Sequence, residues 1–148
     1  MWHRVFCRSS AEVKPAELLA SLSSHAVASF KGDDLGWTSA EFELGKGSPV
    51  FAERFLTSED DLRNDLNTWA AWLETMTYSP NHGRLMEHVV QTQQLITIRK
   101  PVDHSNEVAV DELCQSLCRV LAATADGVYQ IEGDGWYSAE GALLLQEY

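Results

Sequence analysis

The chain has 148 residues, of which 45% are apolar, and a formal net charge of −11. That length and apolar content suit one globular domain with its own core and exclude disorder over most of the chain. The negative balance argues against general binding to nucleic acid or an anionic membrane, and it suits a basic protein partner or a cationic small molecule.

Three cysteines, Cys7, Cys114 and Cys118, make no disulfide framework and read as reduced thiols. The first ten residues carry Arg4 and Arg8 without the apolar core of a secretory leader. No apolar run approaches the roughly 18 residues of a spanning helix. The expected location is therefore cytoplasmic.

In chain order, Trp2 to Arg8 alternates as a first strand. Pro15 stands where a helix begins, and Leu18, Leu19 and Leu22 continue it at helical spacing to about Ser24. Ala26 to Lys31 is a second strand, closed by the turn signal Gly32-Asp33-Asp34. From Trp37 to Leu44, Ala40, Phe42 and Leu44 share one side and Ser39, Glu41 and Glu43 the other, as in a strand with one wet face. After the flexible Gly45–Pro49 connection, Val50 to Leu56 returns as a further strand.

Ser58, followed by Glu59, Asp60 and Asp61, reads as a helix N-cap with acids at the positive end of the dipole. Leu62, Leu66, Trp69, Leu73 and Met76 then trace an apolar stripe. Leu85, Met86, Val89 and Val90 mark a shorter helix, and Leu95 to Arg99 a buried strand. A helix from about Glu107 to Thr124 turns Val110, Leu113, Leu117 and Leu121 inward, and Gly127 is placed as its C-cap. Val128 to Glu132, Trp136 to Ser138 and Ala142 to Gln146 are extended.

Two stretches of this order match. Val27, Gly32, Asp33, Gly36, Trp37, Ser39, Ala40 and Glu41 align in identity with Val128, Gly133, Asp134, Gly135, Trp136, Ser138, Ala139 and Glu140, with one gap at Asp34-Leu35. Phe30 opposite Ile131 is a conservative difference. Recurrent turn chemistry is the alternative to duplication. Duplication implies one α+β domain over residues 1–148, with βαββ units at about 1–57 and 94–148 and two extra helices at about 58–93. The units would join in a largely antiparallel sheet with helices on one face, related by a pseudo-two-fold axis. In element order alone, this arrangement resembles the small-ligand-binding domains of the GyrI-like class. That resemblance implies a pocket for cationic amphipathic molecules built from aromatic side chains and a glutamate; no sequence motif accompanies it.

The candidate ligand-binding residues are Trp37, Glu41, Trp72, Trp136 and Glu140, because aromatic rings and acids together can hold a cation. Packing in the core is the competing role of the rings, and turn formation that of Asp33 and Asp134. Cys114 and Cys118, four apart on a helix, read as buried thiols, since a metal would need two further ligands. His82, His88 and His104 lack the spacing of a zinc helix, and no nucleophile elbow is present. No catalytic residue, metal or cofactor is assigned.

The sequence thus favours a non-catalytic interaction protein, such as an inhibitory or immunity-type partner of a basic protein. A small-molecule binder with its site between the halves comes second, and a hydrolase third. Exposed sheet edges leave a homodimer open.

Overall fold

Val5, Phe6 and Cys7 are consecutive strand residues, and all three are wholly buried. Successive strand side chains point to opposite faces, so this strand must be covered on both. The computed structural model, which describes residues 1–148 apart from 23–25 and 60, meets that requirement with a sheet between two helical layers.

The elements in order are β1 (Trp2–Cys7), α1 (Pro15–Ser21), β2 (Val27–Asp33), β3 (Gly36–Glu43), β4 (Val50–Leu56), α2 (Arg63–Glu74), α3 (His82–Val90), β5 (Gln94–Arg99), α4 (Glu107–Thr124), β6 (Gly127–Ile131), β7 (Gly135–Tyr137) and β8 (Leu143–Gln146). The chain is an α+β protein. Its eight strands form one sheet in the order β2-β3-β4-β5-β1-β6-β7-β8, and every adjacent pair is antiparallel. The C-terminal end of the helix expected over 15–24 falls partly on residues outside those described; α1 ends at Ser21.

The helices lie on both faces of the sheet, which corrects the expectation of one. Leu18 of α1 and the Val110–Leu121 stripe of α4 pack with Val5, Cys7, Ile96, Ile98 and Tyr129 on one face. Leu66 and Leu73 of α2 and Leu85 and Val89 of α3 pack with Phe6, Leu95, Val128 and Leu145 on the other. The wet side of β3 is real, with Glu41 and Glu43 exposed, but it belongs to the outer part of the sheet, beyond the reach of α2 and α3.

The two sequence-matched stretches occupy unlike positions. β2 is an edge strand, whereas β6 lies beside the central β1. Exchanging β1 with β5, β2 with β6, β3 with β7 and β4 with β8 does not reproduce the strand order, so the sheet lacks the pseudo-two-fold axis that duplication implied. Trp37 packs with α1 and α4, and Trp136 with α2 and α3, on opposite faces.

Several local signals resolve differently from their sequence reading. Ser58 lies in a turn, not at the start of a helix; α2 begins at Arg63 behind Leu62, whose side chain is buried among Leu66 and its neighbours. Anchoring by Leu62 therefore outweighs the local capping signal, and only Asp65 remains in the first turn. Asp126, not Gly127, takes the left-handed conformation after α4, at φ 57°. Gly127 is instead required by close approach: a Cβ there would stand 3.0 Å from both Ala122 Cα and Phe6 O. In the β2–β3 hairpin Asp33 plays its expected turn role, Oδ1 accepting the Leu35 N–H at 2.8 Å. Its counterpart Asp134 accepts the Tyr137 hydroxyl at 2.6 Å instead.

A buried arginine ties the N-terminal loop to the sheet. Arg54 on β4 donates to Gln94 Oε1 at 2.7 Å and to the carbonyls of Leu35, Trp37 and Ser10. Gln94 in turn donates to Ser9 O and Ala11 O, each at 2.8 Å. Burial pushes the Arg54 pKa down, and nearby Glu12 and Asp33 oppose that shift.

Candidate functional site

A cross-strand row sets the floor of the site. In register across the sheet lie Ser39, Glu53, Thr97, Arg4 and Gln130, on β3, β4, β5, β1 and β6. Their side chains share the α2 face, because each stands out of step with its strand's residues in the opposite core. Gln130 leads on to Trp136 and Leu145, which α2 and α3 cover. The β4 end of the row stays open, and Glu53, Phe55 and Thr97 there are only partly buried.

Above the open end, Leu62, Asp65, Thr68 and Trp69 recur at helical spacing on α2 and just before it. Together with Trp2, Arg4, Phe55 and Asp61 they line an open basin of about 690 Å³, a usual size for a small-molecule site. Its apolar walls are Trp2, Phe55, Leu62, Trp69 and Leu95. Among the described residues its charges are three carboxylates, Glu53, Asp61 and Asp65, against one cation, Arg4. Among the described residues none of those carboxylates makes an ion pair.

Arg4 is already engaged. Its guanidinium donates to Gln130 Oε1 at 2.9 Å and to Glu132 Oε1 at 3.4 Å, and its carbon lies 4.8 Å from the Trp69 ring centroid. Gln130 is fixed from its other side, donating to Glu147 Oε2 at 2.9 Å, while Glu147 Oε1 accepts the Gly133 N–H. Trp69 is held edge-on by Phe6, Trp136 and Trp72, with centroids 6.0, 6.0 and 5.5 Å away. Phe6 and Trp136 are themselves stacked at 5.0 Å. The wall is thus an aromatic column running from the core to the surface.

Beyond Trp69 lies a second hollow of about 460 Å³, which shares Thr68 and Trp69 with the basin. Trp72, Gln130, Glu132, Gly133, Glu147 and Tyr148 line the rest of it.

The residues singled out from sequence are not brought together. Trp37 is buried beside α1, its Nε1 donating to Val13 O at 2.9 Å. Trp136 is buried behind Trp69 and supports the wall without lining the basin. Trp72 is 38% exposed and reaches the second hollow. Glu41 is exposed on β3, on the open face. Glu140 lies in the turn after β7, where its own backbone N–H and Ser138 hold its carboxyl below the usual range.

The basin residues Trp2, Arg4, Glu53, Phe55, Asp61, Asp65 and Trp69 were not selected by sequence. The available signal was the alternation of Phe51, Glu53 and Phe55 on β4, which puts two rings and an acid on one side.

The histidines and cysteines are held by the backbone and the core. His88 Nε2 donates to Phe6 O at 2.8 Å. His104 Nδ1 accepts the Asn106 N–H at 3.0 Å, so the proton sits on Nε2, which donates to Leu44 O. No histidine–carboxylate hydrogen bond occurs among the described residues, nor any group of three or more side chains placed to hold a metal. The three thiols are buried; burial pushes those of Cys7 and Cys114 up to about 12 and that of Cys118 well up.

No protein-family model, curated protein or solved structure matches the chain.

Proposed function

We propose that the protein is a non-catalytic binder of a cationic amphipathic small molecule, which enters the basin between α2 and strands β4, β5 and β1. The observation that carries this reading is the lining: among the described residues, three aromatic rings and three carboxylates without ion pairs line the basin beside a single arginine, whose charge is turned toward Gln130, Glu132 and Trp69. A cation beside those rings gains from the ring quadrupoles and from the carboxylates at once.

Binding of benzyltrimethylammonium, followed by titration calorimetry, tests this against its neutral tert-butyl isostere. The cation should bind at least tenfold tighter, and E53Q with D65N should remove most of that preference. Equal affinity for the two compounds, or no heat from either at millimolar concentration, overturns the reading.

A second reading keeps the surface and changes the occupant. Glu41 and Glu43 continue the acidic character along the open face of β3, so a lysine or arginine of a basic protein would meet the same field. Competition between benzyltrimethylammonium and such a partner would place both at the basin.

A further inference from the structure

The two hollows flanking Trp69 carry a charge pattern that a compact monocation does not match. The basin ends in Glu53, Asp61 and Asp65, and the second hollow in Glu132 and Glu147. Between them sits the Arg4 guanidinium, against the ring that both share. Along the groove the protein therefore reads negative at the basin, balanced at the Arg4–Glu132 pair, and negative again at Glu147, whose carboxylate also accepts from Gln130 and Gly133. A ligand charge over the middle would meet that balanced pair, and the ring there is already in contact with a cation. Thr68 and the partly buried Trp69 are the residues that both hollows share.

Resting on the cationic-ligand reading above, we propose that the ligand is an elongated dication, with an apolar spacer crossing Thr68 and Trp69 and one positive group in each hollow. Two independent measures set its length. Glu53 and Gln130 lie three strands apart, about 14 Å. Asp65 and Trp72 lie seven residues apart on α2, about 10 Å along its axis. Trp72, chosen from sequence as a ligand residue, falls at the far end of this span, where it and Tyr148 would flank the second charge.

The test is calorimetry with bis(trimethylammonium) alkanes of decamethylene and dimethylene spacer, beside decyltrimethylammonium as the single-headed control, all below micelle-forming concentration. The decamethylene dication should bind one to one and at least tenfold tighter than the control, because the second contact becomes intramolecular. The dimethylene dication should show no such gain. W72A and E132Q should shrink the ratio of the two affinities toward one, read within each variant because Trp72 packs on Trp69 and Glu132 holds Arg4, with circular dichroism confirming the fold. Equal affinity of long dication and control overturns the dication while leaving the basin reading intact. So does indifference of that ratio to W72A and E132Q. Absence of binding by any of the three, together with a failed benzyltrimethylammonium titration, removes the basin reading and the dication with it.

Discussion

The Arg4 guanidinium carbon sits 4.8 Å from the centroid of the Trp69 ring, and this pair forms the partition between the two hollows. Arg4 is also hydrogen-bonded to Gln130 and Glu132, so its side chain is fixed from three directions and is only 16% exposed. A double-mutant cycle with R4M and W69L should give a coupling of about 1 kcal/mol, the size of a partly desolvated cation–π pair. W69L alone should cost more than the coupling, because Phe6, Trp136 and Trp72 lose an edge contact each. Urea denaturation of the four proteins measures both terms. Zero coupling would mean that Gln130 and Glu132 hold Arg4 without help from the ring.

Acid should destabilise the fold before its carboxylates titrate. His3 is buried on β1, and desolvation pushes its pKa from 6.5 to about 4, against the opposing pull of Asp111. Lys100 and the N-terminal amine act with desolvation, and Asp134 against it. His88 is shifted down as well, again mainly by burial. A histidine whose folded pKa is depressed binds more protons when unfolded, so its stabilisation is complete above pH 6.5 and is lost as pH falls toward 4. For His3 the whole shift is worth about 3 kcal/mol, of which about 2 kcal/mol should disappear between pH 7.5 and 5. Denaturant melts at those two values should show the loss in the native protein and a smaller one in H3L. An identical loss in H3L would assign the acid sensitivity elsewhere.

How far the sequence reaches can be judged from particular residues. The strands and the long α4 stripe are legible because burial imposes its period directly: Ala40 and Phe42 are buried and Glu41 and Glu43 exposed, as alternation requires. The layer arrangement is not legible from β3, because its wet side describes the outer part of the sheet and not the doubly covered centre. Val5-Phe6-Cys7 and Leu95-Ile96 already carried the opposite information, since consecutive buried apolar residues in a strand need two covered faces. The matched Gly-Asp and Gly-Trp stretches serve hairpins in different settings: Gly36 has φ 110° and faces Glu12, whereas Gly135 lies against the backbone of β8. The site itself was out of reach. Glu53, Arg4 and Trp69 come from three separate elements: the register of β4, β5 and β1 sets the first two in one row, and the packing of α2 brings Trp69 over it.

Removing the Arg54 charge should cost far more than a surface arginine would. R54M leaves Gln94 Oε1 and the Trp37 carbonyl buried without this donor, and the half-buried Leu35 carbonyl with them. A loss of about 3 kcal/mol or more is expected, because stranded buried acceptors carry their full desolvation cost. The damage should extend to residues 9–11, where Gln94 holds the carbonyls of Ser9 and Ala11 and Arg54 that of Ser10. Hydrogen exchange and urea melts together check this: R54M should lower global stability and speed exchange of the Trp37 N–H, which Glu12 Oε2 accepts at 2.6 Å. A variant within 1 kcal/mol of the native protein would show that water replaces the guanidinium, and the clamp would lose its role.

The three thiols offer a readout of unfolding that needs no label. Cys7, Cys114 and Cys118 belong to one core, between β1 and α4, and desolvation holds all three thiols well above neutral pH. The thiolate is the reacting species, so a disulfide reagent at pH 8 should modify none of them in the folded protein and all three once urea has unfolded it. Because Cys118 lies on the same α4 face as Leu117 and Leu121, exposing it means parting α4 from the sheet. The modification rate at sub-denaturing urea should therefore follow global stability, with the three sites reacting together. Faster reaction of Cys7 alone would reveal local opening of β1, the strand that also carries Arg4. In that event, saturating the basin with a bound cation should slow Cys7 selectively, which links the thiol readout to occupancy of the site.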